Sequence, residues 1–466
     1  MTAPSPLREP VFDRAMTPKA ITDDICRPLE GRGGTGPGWW VGFSLAAAAL
    51  GIGLAAIGYE IATGIGTWGL DKTVGWAFDI VNFVFWVGIG HAGTLISALL
   101  LLTRQRWRTS VSRSAEAMTV FAIMCAAIYP LIHMGRPWMA FWVLPLPNAR
   151  GPLWVNFRSP LLWDVFAINT YLTVSALFWY VGLIPDLATL RDRARGRLAR
   201  AIYGALALGW SGSCRAWSTY EAACRLLAGM AVPLVVLTST VVSTDFAASV
   251  IPGWHATIFP PYFVAGAIHS GFATVLAIMV VARGALGARH LITRRHLDNL
   301  AKVVIVTSSI MGLIYASEHY TAFTGGNPLD AFAFRNRALG PYAWTYYTML
   351  LGNVVLPQIL WWPAARRNVV VLFVVGVAVD LAMWMERFVI IVVSLHRDFL
   401  PSSWTIYKPT IIEVATFVGT FGLFFCCFFL FIRFLPAISI AEVKAVAGYA
   451  RPLPRELVSL RKEAAE

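Results

Sequence analysis

"IGHAGTLISALLLLTR", residues 89–104, reads as a long apolar helix carrying one histidine and ending at arginine. It aligns with "AIHSGFATVLAIMVVAR", residues 267–283, so that His91-Ala-Gly-Thr faces His269-Ser-Gly-Phe at an offset of 178. In the next apolar segment of each half, His133 and His319 stand at the outer end, offset by 186. Both copies continue into an arginine-bearing turn and a helix opening with Glu116 or Asp298. Four helices separate the copies, so both start from the same side and form a parallel repeat.

Working outward, the rest of the chain is built in the same way. Of its 466 residues 57% are hydrophobic and 14% charged, with a mean hydropathy of +0.63. A soluble chain would carry nearer a quarter charged residues. Apolar windows fall at 38–62, 78–103, 115–134, 160–183, 217–247, 260–283, 298–320, 342–363, 368–396 and 407–435. Each is long enough to cross a bilayer as a helix. The expected fold is an all-α polytopic membrane protein of about ten transmembrane helices. Two repeated four-helix bundles, helices 2–5 and 6–9, are flanked by helices 1 and 10. The corresponding segments are 1–38 (cytoplasmic lead), 39–77 (helix 1 and its loop), 78–247 and 248–396 (the bundles), 397–435 (helix 10) and 436–466 (cytoplasmic tail).

The net charge of +13 does not point to nucleic acid, because the arginines lie between apolar runs rather than on one basic face. They concentrate in the N-terminal segment and after the even-numbered windows, which places both termini in the cytoplasm. Trp39, Trp40, Trp361 and Trp362 sit near helix ends as interfacial aromatics. The first 38 residues show no apolar signal region, so the first helix is expected to direct insertion. Glycine-rich "GRGGTGPG" (31–38) lacks the Lys-Ser/Thr of a phosphate loop and reads as a flexible lead-in. Six scattered cysteines with no C-x-x-C pair argue against a zinc site or iron–sulfur cluster in this chain.

With this orientation "LIHMGRPW" (131–138) lies at the non-cytoplasmic surface. Helix 3 ends there with His133, and helix 4 returns inward with Asp164 about one turn below the surface. Asp79 and Asn82, at the start of helix 2, share that level. A snorkelling helix end is one reading of His133. The other is a quinol pocket, which needs an apolar slot, hydrogen-bond partners for the hydroxyls and groups that accept protons as electrons leave. Histidine titrates near neutral pH, and a carboxylate can hold it in one tautomer. The first bundle therefore offers His133, Asp164, Asp79 and Arg136 as quinol-binding candidates.

An ionisable group inside a bilayer is costly and calls for a reason. Candidates for proton transfer are His91 and His269 near mid-depth, Asp245 near the outer end of helix 5, Glu318 and His319 on helix 7, and Asp380, Glu386 and Arg387 on helix 9. Packing hydrogen bonds for the two histidines, and an internal Glu386–Arg387 ion pair, remain the plain alternatives. Paired haem ligation by His255 and His269, fourteen residues apart, fails because "FPPYF" breaks the helix between them.

The blocks "FWVGIGHAGTLISALLLLTRQRWRTSVSRSAEAMTVFAIMCAAIYPLIHMGRPW" and "GPLWVNFRSPLLWDVFAINTY" resemble the NrfD and polysulfide-reductase family of membrane subunits. More narrowly, they resemble the quinol-binding membrane subunit of alternative complex III, over nearly all of residues 39–435. The resemblance implies a bacterial cytoplasmic-membrane complex of the respiratory chain. In it this chain oxidises a quinol such as menaquinol near the periplasmic face and binds neither haem nor cluster. The implied partners are a periplasmic iron–sulfur subunit, multihaem cytochromes of the c type, a second NrfD-like membrane subunit and small membrane subunits. His133 and Asp164 match the family's quinol-contacting positions, and the second bundle its suggested route for proton translocation. The rival readings are a sister complex with a molybdenum partner, a secondary transporter, and an anchor without a quinone site.

Overall fold

The computed structural model describes residues 16–30, 36–143 and 160–447. Among them the chain is helical throughout, and nine helices are long and apolar enough to cross a membrane. They are α1 (Pro37–Thr63), α2 (Phe78–Leu102), α3 (Ser112–His133), α4 (Pro160–Arg193), α5 (Cys214–Ala247), α6 (Phe259–Ala285), α7 (Arg294–Thr324), α9 (Val369–Leu395) and α10 (Ile411–Phe434). The chain is a multi-pass membrane protein.

The window expected at 342–363 is present but is not one regular helix. It runs as α8 (Ala343–Leu350), a π-turn (Leu351–Val355) and a 3-10 stretch (Leu356–Trp361). Pro357 has no N–H to donate into an α-ladder, and the π-turn directly precedes its stretch. Other prolines, Pro130, Pro185 and Pro233, sit inside α3, α4 and α5 without ending them. Irregularity is thus confined to one half, whereas transporter sites use broken helices at matching positions of both halves.

Around this frame, α2, α3, α4 and α5 pack as one bundle, and α6, α7, α8 and α9 as the other. Helices α1 and α10 lie against each other, with α10 also touching α3. The bundles meet where α2 crosses α6, at the repeated His-x-Gly motif. A side chain at Gly271 would run into the Ala92 methyl, and one at Gly93 into the α3 backbone at Ala115. Both glycines are there because two helix backbones approach within side-chain distance. Helix α6 begins at Phe259 with prolines in its first turn, which leaves His255 in the preceding turn, off the helix.

Candidate functional site

Helix α3 stops at His133 for a local reason. Gly135 adopts φ +65°, and its N–H bonds the Ile132 carbonyl at 2.8 Å, closing the helix as only glycine does readily. A side chain on Gly135 would press on Ile65 Cβ at 3.2 Å. His133 is thereby held at the end of α3, where Asp79 in the first turn of α2 meets it. The imidazole Nδ1 and the Asp79 carboxylate form a short hydrogen-bonded pair. Asp79 is buried, while His133 keeps about a quarter of its side chain exposed, so the imidazole stays reachable.

The loop 64–77 covers this pair. Trp68 is buried with its ring 6.4 Å from the His133 ring. Three outer-surface contacts hold the loop: Gly69 N–H to Glu413 at 3.1 Å, the Thr73 hydroxyl to the Ser403 carbonyl at 2.7 Å, and the Thr405 hydroxyl to Asp71 at 2.5 Å. Burial pushes the Asp71 carboxyl up, but the Thr405 hydroxyl and the Val74 and Thr73 amides outweigh it and hold it below the usual carboxylate range. Glu413 in turn accepts the Tyr407 hydroxyl at 2.6 Å.

Sequence reasoning did not single out Glu60. It sits near the end of α1, fully buried, and neither carboxylate oxygen has a hydrogen-bond partner among the described residues. Its charged neighbours are Asp79 and His133. The Trp68 indole N–H and one Asn82 amide nitrogen are likewise buried without a partner there. The other end of the Asn82 amide accepts from Trp384 at 2.7 Å and so ties α2 to α9. Glu60 was legible only as the one charged residue of an apolar run, "GLAAIGYEIATG".

The other predicted quinol ligands fall differently. Asp164 does not pair with His133. Its charged neighbour is Asp245 of α5. The two acids stand in the first turns of α4 and the last turn of α5. Arg136 is exposed and makes no ion pair among the described residues. Of the connection 135–159, residues 144–159 lie outside the described residues, as do 1–15 and 448–466 of the two terminal segments.

Deeper in the molecule the candidates separate into two sets. His91 is buried, with Nδ1 2.7 Å from the Ser239 hydroxyl and its ring 4.8 Å from Tyr171. It lines one small cavity together with Ser239, Phe263 and Arg387. That cavity measures about 10 Å³, near the room one water needs. Arg387 lies 2.8 Å from Glu386 and 4.7 Å above the Phe263 ring. Glu386 accepts a short hydrogen bond from the Tyr315 hydroxyl, and Asn353 donates to both at 2.9 and 3.3 Å. Asn353 belongs to the π-turn, which also aims its carbonyl at the Ser308 hydroxyl, 2.7 Å away. Glu318 is buried with Arg337 and Glu386 as its charged neighbours. Arg387, Glu386, Tyr315, Asn353 and Ser308 thus form one linked polar group in the second bundle.

The remaining three each meet a hydroxyl. His269 is buried with Nδ1 2.9 Å from the Thr307 hydroxyl. Asp380 accepts from Thr274 at 2.8 Å and is only partly buried. His319 lies within α7, five residues before its end, and meets the Tyr346 hydroxyl at 3.3 Å. Unforeseen polar partners also gather at the inner end of the first bundle, where buried Arg113 bridges Glu116 at 3.2 Å and Asp186 at 3.4 Å.

A family model described as "Polysulphide reductase, NrfD" matches residues 68–397, well over half of the chain. The match takes in both bundles and leaves α1 and α10 outside. The chain is also similar to a Halobacterium salinarum protein described as a putative membrane subunit of dimethyl sulfoxide reductase. The two are 23% identical over 433 residues, covering 88% of this chain and 94% of the relative. With both bundles inside the match, the chain belongs to the polysulphide reductase NrfD family of membrane proteins.

Proposed function

We propose that this chain is the quinol-oxidising membrane subunit of a multisubunit redox complex. The carrying observation is the His133–Asp79 pair at the outer end of the first bundle. With Nδ1 engaged by Asp79, the imidazole is held in one orientation and Nε2 is left to accept a hydroxyl proton. A menaquinol-type headgroup would enter from the bilayer beside α3, and its two electrons would leave to an iron–sulfur centre of an extrinsic subunit seated over the connection 135–159. In this reading the chain itself holds neither haem nor cluster. The complex sits in a bacterial inner membrane with both termini cytoplasmic, and the Asp164–Asp245 pair takes up or releases protons at the same surface.

Two partner sets remain. Similarity to a membrane subunit of dimethyl sulfoxide reductase supports a molybdopterin reductase as the final electron acceptor. The resemblance of residues 39–435 to the membrane subunit of alternative complex III supports multihaem cytochromes, a second NrfD-like subunit and coupled proton translocation. The polar group of Arg387, Glu386 and Tyr315, with His91 on the small cavity beside Arg387, would serve that coupling. Purification of the complex and identification of its subunits separates the two.

The test of the site itself is His133→Gln. Quinol-dependent acceptor reduction should be lost while the complex still assembles. Retained activity in that variant would sink the proposal.

A further inference from the structure

Helix α1 is the least enclosed of the spans, with only 17% of its apolar window buried. Its four buried residues, Ala46, Gly53, Ala56 and Glu60, are spaced by seven, three and four and so lie on one face. Three are small, and they serve a close helix contact. Gly53 and Gly419 of α10 touch backbone to backbone, and Gly422 has no room for a side chain against α1 near Leu50. The stripe continues one turn beyond Ala56 to Glu60, so the contact that seats α1 on α10 also carries Glu60 inside. There it lies beside Asp79 and His133 with both oxygens unpartnered among the described residues.

A carboxyl placed this way serves no packing purpose that alanine or leucine would not serve better, and it is costly within a bilayer. Asp79 is already engaged with His133. Glu60 has both oxygens available for a group that becomes positively charged only during turnover. We infer that Glu60 is a proton-binding residue of this site, receiving the proton that His133 takes from the quinol hydroxyl.

The inference rests on the quinol-site reading above. One quinol loses two O–H protons and two electrons to become quinone. The electrons go to the partner's iron–sulfur centre. His133 Nε2 accepts the first proton and hands it to a Glu60 oxygen. That restores His133 for the second proton, and Glu60 then releases its own to the outer surface. Glu60 thus acts through His133 and is a relay rather than a catalytic residue. The family match begins at residue 68, so this relay comes from outside the shared bundles.

The experiment uses the purified whole complex with a short-chain quinol and measures kcat, KM and the solvent deuterium isotope effect. Glu60→Gln should lower kcat at least tenfold, leave KM within twofold and enlarge the isotope effect, while Glu60→Asp recovers turnover. A merely structural role would not enlarge the isotope effect at constant KM. Wild-type kcat in E60Q, with His133→Gln inactive, overturns the role of Glu60 alone, whereas an active His133→Gln overturns the quinol site itself. Should E60Q not assemble, the infrared difference spectrum on quinol oxidation decides. A carboxyl band that shifts between wild type and E60D is expected, and identical spectra would overturn the relay.

Discussion

The two bundles begin from one sequence pattern and end in different chemistry. Each has a histidine on its first helix bonded to a hydroxyl: His91 to Ser239 and His269 to Thr307. Yet Ser239 comes from the last helix of its bundle and Thr307 from the second. The difference is larger at the outer surface. His133 ends α3, faces a carboxylate and is covered by a loop that presents Trp68. His319 lies inside α7, faces the Tyr346 phenol, and borders an open groove of 230 Å³ near Gly312 and Val354. At the repeat offset of 178, Asp79 corresponds to Thr257, which is no acid. The two bundles thus keep similar helices while one carries a histidine–carboxylate pair and the other a buried ion pair. What distinguishes them is which partner the neighbouring element delivers.

Six single substitutions and one double variant press on that contrast. The largest stability effect is expected in the second bundle, at Glu386→Leu. Breaking a buried pair leaves Arg387 uncompensated, typically at a cost of about 3–5 kcal/mol. Thermal unfolding of the purified complex should show the loss, and adding Arg387→Leu should return most of it. Next comes activity. His133→Gln is expected to reduce quinol-dependent turnover by roughly a hundredfold, equivalent to about 2.7 kcal/mol of barrier. His319→Gln should change it less than about threefold, and equal losses in the two variants would erase the proposed asymmetry.

Gly271→Val tests the seam between the bundles. Its Cβ falls inside the space of Ala92, and such overpacking costs about 1–3 kcal/mol, read as a lower midpoint without a change in KM for quinol. The smallest effects belong to Ser239→Ala and Thr307→Val. Each removes one buried hydrogen bond to a histidine, worth about 0.5–1.5 kcal/mol. A comparable midpoint shift in both would show that His91 and His269 are used alike for packing. A loss of turnover confined to Ser239→Ala would tie His91, at the Arg387 cavity, to proton movement.

Much of the fold was legible because the bilayer imposes a simple rule. Backbone polar groups must be satisfied within each segment, so apolar runs of sufficient length are helices, and nine of the ten windows are. Residues 342–363 were misread as regular because hydropathy does not register hydrogen-bond pattern. A π-turn holding Asn353 and a 3-10 stretch with Pro357 in its first turn replace the α-ladder there. Position along each helix was readable from the apolar windows, so His133, Asp79, Asp164 and Asp245 were each expected near a helix end, where they lie. Pairing was not, since it depends on helix rotation and on the neighbours of each helix. His133 met Asp79 rather than Asp164 for that reason.

By itself, the sequence determined the all-helical, membrane-spanning class and nine of the apolar spans, because these follow from transfer energies and period alone. Tertiary structure alone decided which polar residues touch. It set His91 and Arg387 on one cavity across two bundles, bonded Asn353 to Glu386 through a π-turn, and buried Glu60 at the end of the glycine contact between α1 and α10. Such contacts depend on how closely two helix backbones approach, which is set by small residues on both partners at once.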